Sequence, residues 1–241
     1  IFPLIGFKTD IVYYKRAELL SQMHQFTKMI ADYNKIIEID SKSIKAYLYR
    51  GNYYFSNIQL DLAVADYTKV IEINNKEPEA FIKRGECYLL MKRYTEAIAD
   101  YNSANLLNPV DTKSFVGRGI AYLKQGQISN SIIEFSNSIK IKPEANTYYL
   151  RSIAYYQQGK SDLAIFDLTK CIELNPHEYW GYYQRGFLHH LRKEEIEAIN
   201  DFTMAAKFSP RNGEIVFALA QALEKNQEQN VKKKTKDEQQ K

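Results

Sequence analysis

Four histidines, two cysteines and 29 carboxylates are the side chains through which this 241-residue chain could hold a metal or move a proton. Their spacing argues against both. His189 and His190 are neighbours on a helical stretch, so they point about 100° apart and cannot close on one ion. His24 and His177 stand alone. Cys87 and Cys171 form no Cys-x-x-Cys pair; one precedes the packing residue Tyr88 and the other takes a small-residue slot, so both read as core filling. Gly117-Arg118-Gly119 has no strand before it and no helix start to hold a phosphate. With no nucleophile, base, metal set or cofactor loop in sight, the expectation is a non-catalytic chain that needs no metal, cofactor or small-molecule substrate.

The carboxylates do obey a rule, but it is architectural. Arginines stand at Arg16, Arg50, Arg84, Arg118, Arg151 and Arg185, and 16 residues after each comes Asp32, Asp66, Asp100, Glu134, Asp167 or Asp201. An aromatic or leucine follows every one of these acids: Tyr33, Tyr67, Tyr101, Phe135, Leu168 and Phe202. Copies are 34 residues apart, with one step of 33 around Pro143. Such spacing predicts six structural ion pairs, each a guanidinium forking onto a carboxylate across two helices and fixing their register.

Self-similarity at this period requires a stacked array of helical units. The units run over 10–43, 44–77, 78–111, 112–144, 145–178 and 179–212. Within each, apolar residues recur at three- and four-residue steps, as Phe81, Gly85, Tyr88 and Leu89 do, which marks two amphipathic helices joined by a turn. Gly126 and Gly159 occupy that turn in later units, and Pro109, Pro143, Pro176 and Pro210 close four units. Gly51, Gly85, Gly119 and Gly186 are expected to let the helices approach opposite Ala63, Ala97, Ser131 and Ala198. Residues 1–9 form a lead-in. Residues 213–229 are expected to cap the stack with Val216, Leu219, Ala220 and Leu223 as the buried stripe, and the Lys/Gln-rich 230–241 to be a disordered tail.

This pattern resembles the tetratricopeptide repeat. The match rests on the opening aromatics (Tyr13, Tyr47, Phe81, Phe115, Tyr148, Tyr182), the small residue four later, and the second-helix alanines Ala63, Ala97, Ala164 and Ala198. The resemblance implies an all-α, right-handed superhelical solenoid of stacked antiparallel helix pairs whose first helices line a groove. Carrying over the family's groove positions gives Tyr49, Asn52 and Lys83 in a mixed first half. It gives Tyr149, Leu150, Ile153, Trp180, Tyr183, Gln184 and Phe187 in an aromatic second half. An exposed apolar stripe of that size awaits a partner, unless the capping helix folds over it.

The implied function is a protein–protein interaction scaffold, binding a peptide or a partner subunit as part of a larger assembly. The alternatives are a co-chaperone adaptor, whose Lys/Asn/Arg clamp is not found in any frame, and a helical-repeat RNA binder. Glu18, Glu79 and Glu86 among the groove positions speak against RNA. A net charge of +4 from 33 basic and 29 acidic residues points to no nucleic-acid or membrane partner. The cysteine usage and the short apolar opening lean towards a cytoplasmic, reducing compartment, including cytoskeletal or organelle-associated assemblies. The chain starts without Met, so upstream targeting stays open.

Overall fold

The computed structural model describes residues 9–239. Among these residues it is all helix: α1 (Thr9–Gln22), α2 (Phe26–Ile39), α3 (Ile44–Ser56), α4 (Leu60–Ile73), α5 (Pro78–Leu90), α6 (Tyr94–Leu107), α7 (Thr112–Lys124), α8 (Ile128–Ile141), α9 (Ala145–Gln157), α10 (Ser161–Leu174), α11 (Tyr179–Leu191), α12 (Glu195–Phe208) and α13 (Gly213–Gln239). The helices come in stacked pairs, first helix then second, as the period requires. They group into two compact bodies, α1–α7 ending at Gln125 and α8–α13 beginning at Gly126.

Every hairpin turns in the same way. One residue takes the left-handed conformation at His24, Ile58, Lys92, Gly126, Gly159 and Lys193. After His24, Ile58, Lys92, Gly159 and Lys193 the next amide reaches back five residues, as in Gln59 N to Tyr54 O at 2.8 Å and Arg93 N to Tyr88 O at 2.8 Å. That is the Schellman closure of a helix C-terminus, for which glycine is the low-cost residue. Only two of the six turns have it.

In the first body, Tyr67, Val70, Ala63, Ala97, Tyr101 and Ala104 are sealed from solvent; in the second, Leu168, Ala164, Phe202 and Ala205 are. The glycines of the first helices do not mainly face the second-helix alanines. A Cβ at Gly51 would sit 3.0 Å from the Tyr67 ring, one at Gly85 3.1 Å from Tyr101, and one at Gly186 3.0 Å from Phe202. The gap is filled by the aromatic that follows each carboxylate, because a flat ring uses the space a missing side chain leaves. Gly117 is the tightest case: an added Cβ would meet Tyr101 Cζ at 2.3 Å. Its absent side chain is therefore a packing requirement of the neighbouring repeat.

The C-terminal segment departs from expectation twice. The helix does not give way to a disordered tail after residue 229 but continues to Gln239. No Gly or Pro interrupts residues 214–239, and Lys, Glu and Gln propagate a helix once packing has nucleated its first turns. Its buried stripe is also rotated. Ile215 and Ala222 are fully buried, with Ala218 and Leu219 beside them, whereas Val216 and Leu223 are 51% and 43% exposed. Residues 215–220 are apolar on nearly every side, so periodicity permits two faces and only packing chooses. The expected lead-in lies, apart from Thr9, outside the described residues.

Candidate functional site

The expected ion pairs whose two partners lie within one body take the forked geometry. Nε donates to Oδ2 in Arg16–Asp32 at 2.8 Å, Arg50–Asp66 at 2.9 Å, Arg84–Asp100 at 2.8 Å, Arg151–Asp167 at 2.8 Å and Arg185–Asp201 at 2.9 Å. Nη2 donates in parallel to Oδ1 of the same acid in each. The carboxylates are buried, from Asp167 at 0% to Asp201 at 6% exposed. Arg118 closes the first body, donating to Asn102 Oδ1 and lying 5.3 Å over the Phe115 ring, while Glu134 belongs to α8 of the second.

A further bond made by five of the arginines escaped the sequence reading. Nη1 reaches the second helix of the preceding repeat: Arg50 to Asn34, Arg84 to Thr68 at 3.0 Å, Arg118 to Asn102, Arg151 to Ser136 at 2.9 Å and Arg185 to Thr169 at 2.9 Å. Arg50, Arg84, Arg151 and Arg185 thus each tie three helices. A signal was present, since the acceptor always stands two residues after a carboxylate: Asp32/Asn34, Asp66/Thr68, Asp100/Asn102, Glu134/Ser136 and Asp167/Thr169.

Pairing and burial pull these charges in opposite directions. For Arg50, Arg84 and Arg185 the hydrogen bond to the aspartate is the larger influence and raises the guanidinium pKa. In the Arg151–Asp167 rung desolvation leads, and burial lifts the Asp167 carboxyl above its ordinary range despite the fork. Burial also pushes both thiols up to about 12, so neither Cys87 nor Cys171 is a thiolate at neutral pH. Among the described residues no His, Cys, Asp and Glu side chains converge as a metal site. His189 Nδ1 instead lies 2.6 Å from Glu194 Oε2, and His190 Nδ1 2.7 Å from Glu195 Oε2, joining the end of α11 to the start of α12.

The first-helix surface remains. In the second body its aromatics are largely spent on each other. Tyr149 and Trp180 pack edge to face with centroids 4.6 Å apart, and the Trp180 indole N–H donates to Glu178 at 3.1 Å. Tyr183 and Phe187 share a cluster with Ala218, Leu219 and Ala222 of α13, so the last helix covers this end of the stripe. Leu150, Ile153 and Gln184 are half-buried. The stripe is less open than its composition implies, because side chains one repeat apart are close enough to pack together.

The first body is more open. Asn52 accepts from the Tyr67 hydroxyl at 2.7 Å, and Lys83 pairs with Glu86 at 2.9 Å. Tyr49, however, is 44% exposed and lines two adjoining cavities of about 560 and 470 Å³. The larger one lies among Tyr14, Lys15, Glu18, Tyr33, Lys45 and Tyr49. The Lys45 ammonium sits 4.9 Å over the Tyr14 ring and 5.4 Å over Tyr49. Burial and the neighbouring Tyr49, Tyr14, Glu18 and Asp32 push Tyr33 up to about 12, so its hydroxyl stays neutral.

Family models described as tetratricopeptide repeat match residues 11–43, 78–111 and 145–178. Among solved structures, the MamA protein is 22% identical with a TM-score of 0.66, over 70% of this chain and 93% of that one. YrrB, described as a tetratricopeptide-repeat protein with an unusual peptide-binding site, is 18% identical with a TM-score of 0.61, over 77% and 96%. A chain of the APC/C Cut9–Hcn1 hetero-tetramer is 16% identical with a TM-score of 0.69; the match takes in 91% of this chain and 44% of that one. At these identities the likeness carries the fold alone. No curated protein sequence matches the chain.

Proposed function

Because this chain is a tetratricopeptide-repeat protein, we propose that it is a non-catalytic scaffold that binds a peptide or partner subunit through the first-helix face of its opening repeats. The observation that carries this reading is the pair of open cavities around Tyr49, walled by α1, α2 and α3. Concave, partly apolar sites with a few placed polar groups are where ligands and peptides dock. Tyr14, Tyr33 and Tyr49 offer large, rigid contact area, and Lys15 and Lys45 offer charge that no carboxylate of the described residues takes up in an ion pair. The peptide-binding site named for YrrB and the assembly named for Cut9–Hcn1 support the same class of work, and a subunit role in a larger assembly fits it. Within the second body, Tyr149, Leu150, Ile153, Trp180 and Gln184 on α9 and α11 are proposed as a separate contact face.

The reading is tested by affinity capture with the intact chain beside Tyr49→Ala/Lys45→Ala and Tyr149→Ala/Trp180→Ala, all checked for unchanged helix content. A partner held by the wild type and lost with Tyr49→Ala/Lys45→Ala is the expected result. Capture unchanged by both double variants would remove the first-helix face from the proposal. The described helices include none long and apolar enough to cross a membrane.

A further inference from the structure

The two cavities around Tyr49 adjoin through Ser21, Tyr33 and Tyr49, which line both, but their chemistry differs. The larger one carries Lys15 and Glu18 of α1 and Lys45 of α3. Rings hold Lys45 in place: its ammonium lies 4.9 Å over Tyr14 and 5.4 Å over Tyr49. Those contacts fix the charge without supplying a counter-ion. Among the described residues neither Lys45 nor Lys15 joins a carboxylate in an ion pair. The Tyr33 hydroxyl, kept protonated by burial, adds a neutral donor where the cavities meet. Glu18 is the one carboxylate in the lining; Asp10 and Asp40 act on the Tyr14 hydroxyl but stand outside it. The smaller cavity has no charged residue in its lining. Phe26 and Tyr53, with ring centroids 5.3 Å apart, and buried Met29 give it an apolar wall. Asn52 stands beside them and spends its Oδ1 on the Tyr67 hydroxyl, which leaves its two N–H donors over.

Resting on the reading that this site docks a peptide, we propose that its ligand is an extended segment with two anchors. An acidic side chain sits on Lys45 and Lys15, and a large apolar side chain packs against Phe26 and Tyr53. Charge complementarity selects the acid, since two uncompensated ammoniums face a single carboxylate. The Asn52 donors select an extended backbone, because the middle of a helical ligand has no carbonyl to spare for them. Lys45 and Tyr53 are eight residues apart on α3. At 1.5 Å per residue that is about 12 Å, which an extended strand covers in about four residues. Lys15 and Lys45 are exposed, so the charged end is open and the peptide runs on past its acid.

An array of random decapeptides, blocked at both ends and probed with the full chain, tests this. Retained peptides are expected to carry Asp or Glu about four residues from Phe, Tyr, Leu or Met. Lys45→Glu, with helix content unchanged, should weaken their binding at least about tenfold and favour peptides with Lys in place of the acid. Phe26→Ala should lose the preference for the apolar residue and keep that for the acid. Peptides lost with Tyr49→Ala but showing no acidic preference, or one indifferent to Lys45→Glu, would overturn this inference and leave the docking site standing. Binding confined to peptides with a free C-terminal carboxylate would overturn it too. Retention of no peptide, or retention untouched by Tyr49→Ala, would remove the docking site and this inference together.

Discussion

At the scale of the residue, the buried fork between Arg151 and Asp167 shows how a charge pair can specify structure without adding much stability. Both partners are desolvated, with the arginine side chain 14% and the aspartate 0% exposed, and burial outweighs pairing on the aspartate. Breaking such a pair strands a charge, whereas replacing both ends with apolar residues removes the cost as well as the gain. Arg151→Leu is therefore expected to cost about 3–5 kcal/mol, and Arg151→Leu/Asp167→Leu to fall within about 1 kcal/mol of wild type, read by urea denaturation. A single change as mild as the double one would mean the fork is solvated. Ile58 gives the opposite opportunity. It holds a left-handed φ of 58° while 76% exposed, so it pays backbone strain and buries little. Relief of that strain, roughly 1–2 kcal/mol, exceeds the entropic cost of glycine, and Ile58→Gly should raise stability by about 1 kcal/mol in the same assay. The rungs could be read from the sequence because donor and acceptor lie a constant 16 residues apart. The strain at Ile58 could be read only by aligning it with Gly126 and Gly159 in the equivalent turns.

At the scale of the element, the α11–α12 hairpin is clasped at its tip by His189–Glu194 and His190–Glu195. The hydrogen bond from His189, with Arg192 nearby, holds the Glu194 carboxyl below its ordinary value of 4.5. A depressed carboxylate contributes stability that is present above the unfolded-state pKa and lost as pH falls through the lowered folded value. Wild type should accordingly melt above Glu194→Gln at neutral pH, with the difference closing as pH drops below about 4. A gap that persists in acid would assign the effect to packing. Nothing in the sequence announced the clasp, since two adjacent histidines followed by two adjacent glutamates become partners only once the turn sets the helix ends side by side. The same holds for α13, whose length came from uninterrupted helix formers but whose inner face came from the neighbours it met.

At the scale of the whole molecule, repetition settles most of the fold and little of the recognition. Each repeat makes nearly the same local contacts, so one well-read unit predicts the others: forks, turns and second-helix alanines recur on schedule. Partner surfaces depend on where that repetition is broken. The cavities around Tyr49 and Lys45 open in the first body, while the richer aromatic stretch of Tyr149, Trp180, Tyr183 and Phe187 is drawn into contacts within the second.

The sequence by itself determined the helix pairs, their number and the arginine–carboxylate rungs, because those interactions span fixed, short separations that survive as a period. Tertiary structure decided the bonds from the arginines to the preceding repeat, the rings that fill the glycine gaps, the face α13 buries and which aromatics stay accessible. Those depend on what stands on the far side of a helix. Contact between neighbouring helices is set by three-dimensional packing, and an amphipathic pattern names a buried side only after a neighbour exists to bury it.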